Sequence, residues 1–256
     1  MSSSATTATE DPLIDINTFS EQDKKELIVA DAVSITSDTT LGISNSTFIP
    51  IKTLHINAKG IGVLRLSQPP IELITTISNT DGSLVYTSTR AKRSSGSCTL
   101  TDADGNALIG TEYYFGPNKD PVLKRLDIDE GKIYEIKTLS KWTSRNHKFL
   151  LPDGRTFEWR YKREKGFGAG GAKGTALVLD VEGKRVATLI RNDETRTLGS
   201  KSCSAGNGGE LLLGGDIGGK DGIGEDLVVA TCLLMLKKEI DRRRSVQLIT
   251  LAAIII

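Results

Sequence analysis

The chain has 256 residues, and its 33 basic and 32 acidic side chains leave a net charge of +1, so no whole-protein field draws it to nucleic acid or to an anionic membrane. Any anion binding is therefore local, and a nucleic-acid partner is not expected. Three cysteines, Cys98, Cys203 and Cys232, are odd in number and far apart, which argues against a disulfide framework and for a reducing compartment, cytoplasm or nucleus.

Residues 1–45 are rich in Ser, Thr and acidic side chains and offer too little apolar surface to offset the entropy of ordering. A disordered or loosely ordered arm is expected there. Its first 25 residues carry Glu10, Asp11, Asp15, Glu21 and Asp23 and lack the charged and apolar halves of a signal peptide. From 46 to 256 one domain is expected. Short runs rich in β-branched and aromatic residues recur at Thr47 to Ile56, Ile61 to Leu66, Ile71 to Ile77, Leu84 to Ser88, Ala107 to Phe115, Val122 to Ile128 and Ile133 to Leu139. The clearest strand is Thr156 to Lys162, where Phe157, Trp159 and Tyr161 share one face and Glu158, Arg160 and Lys162 the other. It follows Pro152-Asp153-Gly154, a turn in which Pro fixes φ and Gly takes the conformation most costly to other residues, so a hairpin with Lys148 to Leu151 is implied. Ala176 to Val181, Val186 to Arg191 and Glu210 to Leu213 bring the total to about a dozen strands.

Two glycine clusters interrupt the strands. Gly166-Phe167-Gly168-Ala169-Gly170-Gly171 spells a dinucleotide fingerprint, but a phosphate-binding turn must open a helix, whereas Thr175 to Asp180 reads as a strand. A hairpin connection is expected. Gly214 to Gly224 holds Asp216 and Asp221 and leads to Glu225 and Asp226, with no calcium-loop spacing, so the acids are expected to cap a helix rather than hold a metal. His55 and His147 lie near no Cys or carboxylate in a ligand or triad pattern. No catalytic residue, metal or cofactor is assigned, and an enzyme is not expected.

From Glu225 to Arg244 there is no Gly or Pro, and Leu227 to Leu236 is apolar on every side of a helix. Glu225 and Asp226 suit the positive end of its dipole, and Lys237, Lys238 and Arg242 to Arg244 the negative end. Such a helix must be surrounded, and a bilayer span needs about 20 apolar residues, twice what is available before Lys237. The expectation is a mainly β protein, a closed antiparallel barrel of about 12 strands around a central C-terminal helix at 225–244. The last stretch, 246–256, is a core strand, a continuation of the helix, or an interfacial tail beside Arg242 to Arg244.

Leu151 to Arg160, Glu194 to Thr197, Ser204 to Glu210 and Asp226 to Arg244 resemble an uncharacterised fungal family with a tubby C-terminal-like fold, over about 147–250. That superfamily, with its tubby, LURP-one-related and phospholipid-scramblase-like branches, implies a closed barrel around a hydrophobic C-terminal helix. Tubby domains bind phosphoinositides and scramblase-like members sit at membranes, so the resemblance implies a non-enzymatic binding module for anionic phospholipid headgroups at a cytosolic membrane face. No single residue matches a tubby ligand motif. Basic groups recur at Arg90, Lys92 and Arg93, and elsewhere; the candidate headgroup residues are Lys162, Arg163, Lys165, Arg242, Arg243 and Arg244. The alternative is a soluble scaffold that binds a protein partner, and the third reading is a hydrolase with an unrecognised site. A monomer is expected.

Overall fold

Period-two alternation sets the strands. In the computed structural model, which describes residues 14–32, 48–62, 72–92, 95–117, 120–128, 134–218 and 222–255, they are β1 (Pro50–Asn57), β2 (Ile61–Gly62), β3 (Ile74–Asn79), β4 (Leu84–Thr89), β5 (Cys98–Asp102), β6 (Ala107–Glu112), β7 (Val122–Arg125), β8 (Glu135–Thr138), β9 (His147–Leu150), β10 (Thr156–Lys165), β11 (Lys173–Val181), β12 (Lys184–Ile190), β13 (Cys203–Ala205) and β14 (Gly209–Gly214). Strands β3 to β12 pair antiparallel with their sequence neighbours, and β14 lies against β12. β1 then joins β14 to β3, with Leu54 opposite Leu211 and Ile56 opposite Ile77, which closes a barrel of twelve strands. β2 and β13 form a separate two-stranded sheet.

The Pro152-Asp153-Gly154 turn joins β9 to β10 with Gly154 at φ 87°, and Phe149 stacks on Phe157 at 5.0 Å across the hairpin. Gly166 to Gly171 connects β10 to β11 through a short 3₁₀ turn and opens no α-helix. Leu54, Ile77, Leu100, Phe157, Trp159 and Leu189 point inward and form one core with Leu227 to Leu236. Those ten helical residues are buried on all sides. Contacts reach their helix, α2 (Glu225–Ile255), from the whole ring: Lys52 on β1, Tyr86 on β4, Arg125 on β7, His147 on β9 and Trp159 on β10. The helix therefore threads the barrel. Trp159 Nε1 donates to Thr231 Oγ1 at 3.0 Å, and that hydroxyl donates in turn to the Leu227 carbonyl, so the one polar atom of the indole is satisfied inside the core.

Glu225 and Asp226 sit at the amino end of α2 as expected, and they are also tied to the wall. Lys52 and Tyr86 donate to Glu225, and Arg125 donates to Asp226 at 2.6 Å. The carboxyl end follows one of the readings of 246–256, a continuation of the helix, and departs from the expected placing of the basic residues at the helix end. No helix breaker stands between Arg244 and Ile255, and the helix continues to Ile255, so Lys237, Lys238 and Arg242 lie buried in mid-helix rather than in a solvated last turn.

Two further expectations are corrected. The segment taken for a loosely ordered arm contains a 3₁₀ turn at Ile16–Thr18 and a helix, α1 (Glu21–Ala32); residues 1–13 and 33–47 lie outside the described residues. Ser20 Oγ accepts from the Asp23 amide at 3.1 Å and donates back to the Asp23 carboxylate, a local cap that starts α1. Leu27, fully buried, joins Phe19, Trp142, Val246 and Ile249, and Asp31 binds Arg243 at 2.8 Å. In the second correction, the described part of Ile61 to Leu66 is β2, outside the barrel, with 63–66 beyond the described residues, while Cys98–Asp102 supplies a barrel strand that was not expected.

Candidate functional site

Where α2 leaves the barrel, its charged turn meets polar groups of the wall. Arg191 donates to Glu239 at 2.6 and 3.1 Å, Tyr161 donates at 2.7 Å, and the Gly206 amide donates at 2.8 Å. Burial pushes the Glu239 carboxyl up, but Arg191 and these donors outweigh it and hold the group at about 2. Two residues on, and on the other side of the helix, Asp241 accepts from Lys237 at 2.7 and 2.6 Å and from Tyr113 at 2.6 Å, with the Lys237 ammonium 4.9 Å from the Tyr113 ring centre. Both knots pair each buried charge with its opposite.

Lys238 is different. Its amine lies 3.3 Å from His147 Nδ1, and His147 Nε2 is buried without a hydrogen-bond partner. Burial, with Arg242 adding repulsion, brings Lys238 down to about 7; burial and then Lys238 itself depress His147 well below its ordinary value. The two bases share a sealed space in which burial disfavours the charged form of each. His147 has no exposed surface, and His55 faces the opposite side of the wall, since Leu54 and Ile56 beside it point into the core. Cys232 is likewise sealed in, its thiol raised to about 12 by burial and so held protonated. Among the described residues no group of His, Cys, Asp and Glu has metal-site geometry.

Beside these knots lies a groove of about 230 Å³. Its floor is apolar, from Ala58, Leu233, Leu236 and Ile240, and its polar margin carries Lys59, Glu72, Arg90 and Lys237. Arg90 Nη1 donates to the Glu72 carbonyl at 2.9 Å, while Arg90 Nε is buried without a partner. The Lys59 amide donates to the Glu72 carboxylate at 3.1 Å. Gly60 and Gly206 let the backbone close around the groove: both have positive φ, and a Cβ on Gly206 would collide with Ile240.

The six sequence-predicted headgroup residues do not share one face. Lys162 is on the outer wall, 3.0 Å from the buried Asp180, whereas Arg163 and Lys165 have the parity of the inward-facing Tyr161. Successive strand residues alternate faces, so this basic run cannot form one patch. Arg242 is buried, Arg243 is bound to Asp31, and Arg244 is half-buried. Of the other basic positions noted in the sequence, Arg90 does line a cavity; Arg93 lies outside the described residues.

Past Ser245, α2 outruns its sheath. Val246 and Ile249 still pack beside α1, but Thr250, Ala252, Ala253 and Ile254 are exposed and Leu251 is half-buried, with Ile254 at 75%. The Thr250 hydroxyl is turned back onto the Val246 carbonyl at 2.8 Å. No helix of the described residues is long and apolar enough to cross a membrane. The chain matches no protein-family model, no curated protein and no solved structure.

Proposed function

We propose that this barrel is a non-enzymatic binding module that docks on the cytosolic face of a membrane containing anionic phospholipid. The observation that carries the reading is the end of α2. Thr250 to Ile254 is apolar apart from one self-satisfied hydroxyl and is exposed around nearly its whole circumference. A protein groove covers one stripe of a helix, whereas acyl chains surround it, and an end exposed all round suits the second. From Thr250 to Ile255 the rise is about 7 Å, within the roughly 5–10 Å to which an interfacial helix is buried. The resemblance to tubby-like proteins supports the same reading.

Exposed Ile49, Ile51 and Leu84, toward the barrel end where α2 enters, favour a second reading, a scaffold for a protein partner. Flotation separates the two. On vesicles of phosphatidylcholine with phosphatidic acid the protein is expected to float, and Leu251→Glu with Ile254→Glu is expected to abolish flotation without lowering the melting temperature. A protein that stays at the bottom of the gradient with these vesicles is not a membrane module.

A further inference from the structure

α1 covers the root of the exposed α2 tip, and it does so with the chemistry of an anionic surface. It carries the carboxylates of Glu21, Asp23, Glu26 and Asp31 against the two cations Lys24 and Lys25. Glu26 accepts from Lys141 and from Thr143 Oγ1, both at 2.8 Å, and Asp23 lies 3.3 Å from the same Lys141. Asp31 lies 2.8 Å from Arg243. Between these charges Leu27 rests in an apolar cluster with Trp142, Val246 and Ile249. The surface beneath α1 is therefore two cations set around an apolar patch, the pairing that receives an anionic headgroup and the carbons behind it.

The cover is weakly held. Leu27 is its one fully buried residue, and a helix of 12 residues is marginal by itself. Its ion pairs are partly in solvent, where each contributes little. α1 precedes β1 and takes no part in the strand pairing, so it can lift away without breaking a ladder. Beneath it Arg243, Val246, Thr250 and Ala253 follow one another at helical spacing on one stripe of α2, and Thr250 and Ala253 are already exposed. Release of α1 extends the open apolar face of the tip back to Arg243, about two turns nearer the barrel.

We infer that the surface beneath α1, with Lys141 and Arg243 around Trp142, Val246 and Ile249, is a binding site for anionic phospholipid, and that α1 is an internal stand-in which the membrane displaces. The inference rests on the membrane reading and adds to it the residues that meet headgroup charge.

Flotation on phosphatidylcholine vesicles with increasing phosphatidic acid, beside hydrogen exchange of the α1 amides, tests it. Two double variants break the same ion pairs from opposite sides, and all four side chains lie partly in solvent, so the barrel is left intact. Glu26→Gln with Asp31→Asn loosens the cover and keeps the cations, so flotation is expected at several-fold lower phosphatidic acid content. Lys141→Gln with Arg243→Gln loosens the cover as well but removes the cations, so several-fold more phosphatidic acid is expected to be needed. In the unsubstituted protein the α1 amides are expected to exchange faster on the vesicles than in solution. A clasp with a structural role alone moves both double variants in one direction. Shifts of the same sign, or α1 amides that stay protected on the vesicle, overturn the cover, and flotation that still depends on Leu251 and Ile254 then leaves the membrane reading standing. An unsubstituted protein that floats at no phosphatidic acid content overturns both.

Discussion

Arg191 grips Glu239 with two hydrogen bonds inside the barrel mouth, at 2.6 and 3.1 Å, with both side chains almost wholly out of solvent. Removing one partner strands the other charge. Arg191→Met is expected to cost about 3–5 kcal/mol of unfolding free energy, and the double variant Arg191→Met with Glu239→Leu to recover most of it. Urea denaturation of the two variants measures this. A double variant as unstable as the single one would show that the pair does more than neutralise itself.

Lys238 and His147 set an acid limit on stability. In the unfolded chain they titrate near 10.5 and 6.5; folded, Lys238 lies at about 7 and His147 well below 6.5. Between 7 and 10.5 the unfolded state holds the extra proton, so stability rises with pH by up to about 1.4 kcal/mol per unit, and below 7 the Lys238 penalty is complete. Below 6.5 His147 adds a loss of the same sign. Arg242 opposes charging of either base, whereas Asp120 and Asp241 favour a charged Lys238 and the Ser144 backbone a charged His147. Glu239, lowered from 4.5 to about 2, contributes stability that is present above 4.5 and lost as pH falls toward 2. Urea midpoints are expected to climb from pH about 6 to about 9, and Lys238→Met to flatten the upper part of that climb. An unflattened slope would place the titration elsewhere.

Gly206 and Gly82 separate two costs of a side chain. Both have positive φ, 73° and 86°, but a Cβ on Gly206 strikes Ile240 while one on Gly82 meets nothing. Gly206→Ala is expected to be about 2 kcal/mol more destabilising than Gly82→Ala, the excess being overpacking. Equal melting temperatures would mean that α2 shifts freely at Ile240.

Much of the barrel is legible in local pattern. Phe157, Trp159 and Tyr161 alternate with charged neighbours, Pro152-Asp153-Gly154 dictates a turn, and Leu227 to Leu236 is too apolar to be anything but enclosed. Cys98–Asp102 escapes notice because its only large apolar side chain is Leu100, set among threonines whose burial the neighbouring strands decide. α1 escapes because a single residue, Leu27, is fully buried in it, and its docking depends on Trp142 and on the far end of α2. The groove is least legible of all. Lys59, Arg90 and Ile240 are brought together by ring closure and by the depth to which α2 is drawn in, neither of which leaves a spacing in the letters. Counting basic residues pointed instead to Lys162, Arg163 and Lys165, where strand alternation divides the charge and Asp180 takes part of it.

The seam between β1 and β14 has a temporal meaning. The strand that finishes the ring stands just ahead of the helix that fills it, and its partner was made more than half a chain earlier. A polypeptide of this design has no filled interior until α2 has been made, so folding is expected to rest on long-range pairing in place of stepwise assembly and to be slow for that reason.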